Sequence, residues 1–250
     1  MTLRKALAVG ISAVVCTGML GTGCAKEQRG AAAKGTPSPS GPVSGRPAPP
    51  SPAARPLPGL GPRTRSEIPA ATRQVLLVRG TTTDGNRARA ELYQREPGGG
   101  WRRAAGPWPA HNGLRGWTRD HWAGDLRTPI GVFTLSDAGG RLPDPDTRLP
   151  YDQDPDFSID GTGHVGEPLE GSFDYVVAVD YNRVRGTTPL DKERPLGEDR
   201  GGGVWIHVDH GGPTNACVSL AQPHMRALLR ALDPAARPVV VMGPAAALAR

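Results

Sequence analysis

Cysteine is scarce in this chain: 250 residues hold three, at positions 16, 24 and 217. Cys16 lies in an apolar leader and Cys24 just after it, so the folded part keeps Cys217 alone, with no partner for a disulfide. Long apolar runs are absent as well. The longest, within Ala6–Leu20, is too short for a membrane-spanning helix. No convincing helical periodicity occurs before residue 221, which argues against alternating strand–helix units and a parallel sheet. The folded part also lacks an excess of charge. The formal net charge is +6, but the residues before Arg73 carry nine of the 30 Lys and Arg against two of the 24 Asp and Glu. From Arg73 onward the balance is near neutral, and the basic pI of about 9.6 is no sign of a nucleic-acid partner.

What is present begins with Arg4 and Lys5 before the apolar run, and Gly21, Thr22 and Gly23 before Cys24. This is the pattern of an export signal over residues 1–23. It is similar to a bacterial lipoprotein signal, in which the cysteine becomes the first mature residue and carries lipid; ordinary secretion is the alternative. Residues 24–72 are dense in Pro, Ser, Gly and Ala and read as a disordered tether. Its basic residues favour anionic lipid or wall polymer, or serve only solubility.

Residues 73–250 read as one domain, mainly β. Runs at Arg73–Arg79, Ala88–Arg95, Val132–Leu135 and Pro238–Met242 carry strand composition, with Asp84-Gly85 and Pro97–Gly100 as turns. His111, in the HNG triplet, reads as a surface turn histidine. Residues 137–170 are acidic and rich in Gly and Pro. They lack the ligand order of a calcium loop, so His164 and the neighbouring carboxylates suggest an irregular segment that shapes a cleft. Residues 171–183 form a strand whose apolar middle suggests a central place in a sheet. Residues 221–232 form the clear helix, with Met225, Leu228, Leu229 and Leu232 on one stripe and His224 beside it, solvated or flanking.

Chemistry concentrates in residues 201–220, GGGVWIHVDHGGPTNACVSL. A lone cysteine in a Gly/Pro-rich turn near histidines suits a nucleophile, because imidazole can take the thiol proton. By strand alternation Trp205, His207 and Asp209 share one face, and Ile206, Val208 and His210 the other. His207 and His210 lie ten and seven residues from Cys217, and spacing does not choose between them as the base. Backbone N–H groups at Ala216 and Cys217, at the mouth of the turn, suit an oxyanion hole.

Two motifs in order resemble the L,D-transpeptidase (YkuD-like) catalytic domain of peptidoglycan cross-linking enzymes. GDLRTPIGVFTL resembles one family segment through Gly124, Thr128, Pro129, Gly131, Phe133 and Leu135, and IHVDHGGPTNACVSL resembles the catalytic block. The resemblance covers about residues 73–242 and implies a single β-sandwich-like domain. It implies Cys217 as nucleophile and His207 as catalytic histidine, with Thr214 in the Ser/Thr place. Asp209 or a backbone carbonyl would orient the imidazole, with His210 as an alternative base. Asn215, Ala216 and Ser219 stand where the family has His, Gly and Arg; with Thr214 they are the expected oxyanion and substrate positions. These departures resemble a divergent actinobacterial-type lipoprotein branch.

The implied activity is cross-linking of tetrapeptide stems through a cysteine acyl-enzyme with release of D-alanine, without metal or organic cofactor. The expected location is the outer face of the cell membrane or the wall. The implied partners are peptidoglycan stems, and the membrane through Cys24. Two alternatives stand beside it: a cysteine L,D-carboxypeptidase of wall peptides, and a catalytically inactive wall-binding lipoprotein.

Overall fold

The computed structural model describes residues 55–250. The expected export signal, Cys24 and the first part of the expected tether lie outside the described residues. Along the chain run α1 (Pro62–Ser66), β1 (Gln74–Gly80), β2 (Arg87–Arg95), β3 (Trp101–His111), β4 (Trp117–Thr118), β5 (Thr128–Pro129) and β6 (Gly131–Thr134). There follow β7 (Ala138–Gly140), β8 (Tyr151–Gln153), β9 (Val176–Ala178), β10 (Trp205–Val208), β11 (Val218–Leu220), α2 (Gln222–Ala231), β12 (Val239–Pro244) and α3 (Ala245–Leu248).

Ten strands form one sheet in the order β6-β12-β1-β2-β3-β11-β10-β9-β7-β8, while β4 and β5 pair separately. The fold is mainly β, an open half-barrel with a few short helices. Only residues 135–137 separate β6, at one edge, from β7 near the other, so the sheet must curl. Backbone bonds from Asp180 N–H to Thr134 O (3.0 Å) and Ala178 N–H to Asp137 O (2.9 Å) tie the two ends. The pairing is mixed rather than purely antiparallel: β1 with β12, β10 with β11, β7 with β8 and β4 with β5 run parallel.

Pleat alternation sorts the side chains. One face carries Leu76, Val78, Ala88, Ala90, Ala110, Val177, Ile206, Val208, Val218 and Leu220 into the main core. The helix stripe of Met225, Leu228, Leu229 and Leu232 seals that core, each of the four fully buried. The fully buried Val176–Ala178 segment is central, between β10 and β7, although the strand is shorter than residues 171–183.

The opposite face differs along its length. Over β1 and β12, Val75, Leu77, Val239 and Val241 pack under Leu57, Leu60 and Leu248. The tether therefore ends earlier than residue 72. Leu57 and Leu60 are buried, α1 follows, and Gly61 and Arg63 donate to the carbonyls of Leu248 and Arg250. Two leucines among prolines are too sparse to show a period, yet they cover an otherwise bare apolar face.

β3 also takes His111, expected in the HNG turn, as its last residue. It runs eleven residues through Pro107 and Pro109 to His111. β11 pairs only with Ala110 and His111, so the edge beyond Trp101–Pro109 is free, and a missing N–H costs nothing there.

Candidate functional site

Where the second face is not covered by the N-terminal segment, it holds the polar residues. Register places Arg87 opposite His111, His111 opposite Ser219, and Ser219 opposite His207 across β2, β3, β11 and β10. Residues so paired project to the same side. Cys217 stands two residues before Ser219, on that same side by alternation.

Cys217 and His207 line one cavity of about 240 Å³. Phe173 packs edge-on to the His207 ring at 5.4 Å, and the long loop contributes Ile159, Thr162, His164 and Leu169 to the wall. Residues 137–170 thus do shape a cleft, although they are not irregular throughout, since β7 and β8 lie within them. The thiol is anchored by backbone: Trp205 N–H donates to Sγ at 3.3 Å, and Sγ contacts Gly203 O at 3.6 Å. Thr214 Oγ1 donates to the Cys217 carbonyl at 2.7 Å and closes the turn. No hydrogen bond joins the Cys217 thiol to either His207 or His210.

His207 Nδ1 donates to the Val208 carbonyl at 2.9 Å. Burial lowers its pKa to about 4, against the opposing pull of that carbonyl, so the ring is neutral at pH 7 and its lone pair sits on Nε2. Burial likewise pushes the Cys217 thiol up to about 11, with the Trp205 N–H opposing. The resting pair is thiol and imidazole, not thiolate and imidazolium.

The remaining expected site residues divide. Asp209 does not orient His207. It accepts from His111 Nδ1 at 2.7 Å and from Ser219 Oγ at 2.6 Å. Burial by itself would raise the Asp209 carboxyl, but those two bonds and the nearby imidazole outweigh it and hold it at about 2. His111 is therefore part of a partly buried polar cluster rather than a surface turn. Ser219 is fully buried in the same cluster and is not on the cavity wall, which removes it from direct substrate contact.

His210 does not follow Ile206 and Val208 to the other face: β10 ends at Val208, and His210 stacks on His207 at 5.8 Å, lines the same cavity and donates from Nδ1 to Glu167 Oε1 at 3.0 Å. Asn215 is exposed at the rim and accepts from His164 Nε2 at 3.0 Å. Thr214 and Asn215 line the cavity; Ala216 packs against the main core.

Glu167 and Phe173 went unnoticed in sequence. Glu167 sits over Gly212, where any Cβ would collide with its carboxylate. Gly163 is constrained in the same way by that carboxylate, so two glycines are the local trace of its position. Among the described residues no group of three or more His, Cys, Asp or Glu is arranged to hold a metal.

Comparison with protein-family models, with curated proteins and with solved structures found no match.

Proposed function

We propose that this chain is a cysteine acyltransferase of the L,D-transpeptidase kind, acting on peptidoglycan tetrapeptide stems. One observation carries the reading: the lone thiol of the folded part and a buried, tautomer-held imidazole open on the same loop-walled cavity. The sequence resemblance supplies the substrate class and the finer fold assignment, a β-sandwich-like catalytic domain.

In this reading the Cys217 sulfur attacks the carbonyl of the bond between the third stem residue and D-alanine. A C–S bond forms as the C–N bond breaks. His207 takes the thiol proton and delivers it to the departing D-alanine amine. Since the thiol is protonated at rest, proton removal accompanies attack instead of preceding it. Backbone N–H groups at Ala216 and Cys217, with Asn215 at the rim, face the developing oxyanion. A side-chain amine of a second stem resolves the thioester to a cross-link. Water in its place gives the carboxypeptidase outcome. An export signal with lipid at Cys24 would hold the domain at the outer membrane face.

A second reading is binding of the same stems without turnover. The missing hydrogen bond between the thiol and either histidine favours it.

The test is incubation of the full chain with disaccharide-tetrapeptide muropeptides, followed by mass spectrometry. Cross-linked dimers with free D-alanine, together with an acyl adduct on Cys217, are expected. His207→Ala should slow turnover by about 10²–10⁴-fold, and Cys217→Ala should abolish the adduct. Tripeptide product alone identifies the carboxypeptidase. Retention on sacculi with neither product nor adduct leaves only the binding reading.

A further inference from the structure

A second cavity lies apart from the Cys217 cavity. It measures about 630 Å³ and opens on the same sheet face, over the ends of β1, β2 and β3. Arg79, Arg87, Arg89 and His111 edge it, with His224 from the start of α2. The register explains the crowding: Arg79 stands opposite Arg89, and Arg87 opposite His111, all projecting from one face.

Like charges directly opposite one another repel. Arg79 is relieved by Glu91 Oε2 at 3.2 Å. Arg87 and Arg89 have no ion-pair or hydrogen-bond partner among the described residues, and both are exposed into the opening. Asp209, the one acid on the wall, has a carboxylate oxygen already engaged by His111 and Ser219. Ala88 and Ala110 alternate with Arg87, Arg89 and His111 and turn into the main core, so only their backbone can face the cleft. His224 stacks on Trp108 at 5.5 Å, and its Nδ1 is buried with no hydrogen-bond partner among the described residues.

We propose that this cleft binds a small molecule through a doubly charged oxyanion head held between Arg87 and Arg89. Two unpaired guanidiniums match a dianion in charge, and their planar donors suit paired oxygens. The volume is several times that of the head group alone and falls within the range of pockets that enclose small ligands. The site is separate from Cys217 and does not depend on the acyl-transfer reading.

Phosphate and dicarboxylate heads share this chemistry, and titration separates them. Inorganic phosphate and glutarate are each titrated into the full chain, with histidine and arginine side-chain resonances followed by NMR. Saturable shifts of His111 and of the Arg87 and Arg89 guanidinium signals are expected with at least one probe, and the tighter probe identifies the head group. Arg87→Ala/Arg89→Ala, both exposed positions, should weaken that binding by about tenfold or more. Arg226→Ala, an exposed arginine of α2 outside the cleft, should leave it unchanged. No saturable shift with either probe, or equal affinity in the double variant, overturns the proposal.

Discussion

At the scale of single residues, Cys217 is a restrained thiol. Apolar surroundings keep it protonated, and its nearest polar contacts are a backbone N–H and a backbone carbonyl. A free cysteine with ordinary acidity ionises far more at neutral pH. With the thiol pushed up to about 11, iodoacetamide should label Cys217 roughly a hundredfold more slowly than a model thiol at pH 7.5. The rate should climb through pH 9–11, read by mass spectrometry of the modified peptide. Fast labelling at neutral pH would mean that solution opens the cavity or brings an imidazole onto the sulfur. His207 is equally restrained by the Val208 carbonyl, so the chemistry proposed for the pair depends on an approach made only when substrate fills the cavity.

At the scale of elements, the joint between the two ends of the sheet depends on one buried ionic cluster. Arg183 Nη1 donates to Asp137 Oδ2 at 2.9 Å and to Asp180 Oδ1 at 2.5 Å, and its Nη2 to the Thr187 carbonyl at 2.7 Å. Asp137 leads into β7 and Asp180 follows β9, so the arginine holds the curl that brings β6 beside β9. All three side chains are almost wholly buried. Arg183→Met should destabilise by about 3–5 kcal/mol, because Asp137 is left buried without its cation and Asp180 keeps only the exposed Arg185, at 3.3 Å. The matching fall in Tm is on the order of 10 °C. Changing Arg183→Met together with Asp137→Asn and Asp180→Asn should recover much of the loss, since the stranded charges go too. Calorimetry of the single and triple variants checks both outcomes.

At the scale of the whole molecule, the buried titratable groups bound the pH range of stability. His207 has a folded pKa near 4, below the ordinary 6.5, so the unfolded chain binds the proton more readily between these values. Stability is then lost as pH falls from about 6.5 toward 4. Asp209, held at about 2 against 3.8, adds a further loss as pH falls through that lower window. Cys217 acts in the opposite direction: its folded value near 11 lies above 9, so the unfolded chain gives up the proton first and stability falls from pH 9 toward 11. Tm should therefore be highest between roughly pH 6.5 and 9. His207→Phe should flatten the acid limb and Cys217→Ala the alkaline limb, each measured by Tm against pH. An unchanged limb in either variant would show that its side chain is not the group responsible.

Local pattern alone determined a good deal of this protein. The apolar runs that became β1, β2 and β12, the leucine stripe of α2 and the isolation of Cys217 are all written within a few residues of chain. So is the placing of His207 on the face shared by Trp205 and Asp209. Tertiary structure decided the rest, because the deciding contacts join distant positions. His111 meets Asp209 across 98 residues, His164 meets Asn215 across 51, and Glu167 meets His210 across 43. No periodicity in an irregular loop forecasts such pairs. The same holds for Leu57 and Leu60, two apolar side chains in a proline-rich stretch that gain burial only because β1 and β12 leave a bare face beneath them. The long β3 belongs here too: Pro107 and Pro109 argue against a strand until the sheet order shows that their edge has no neighbour to satisfy.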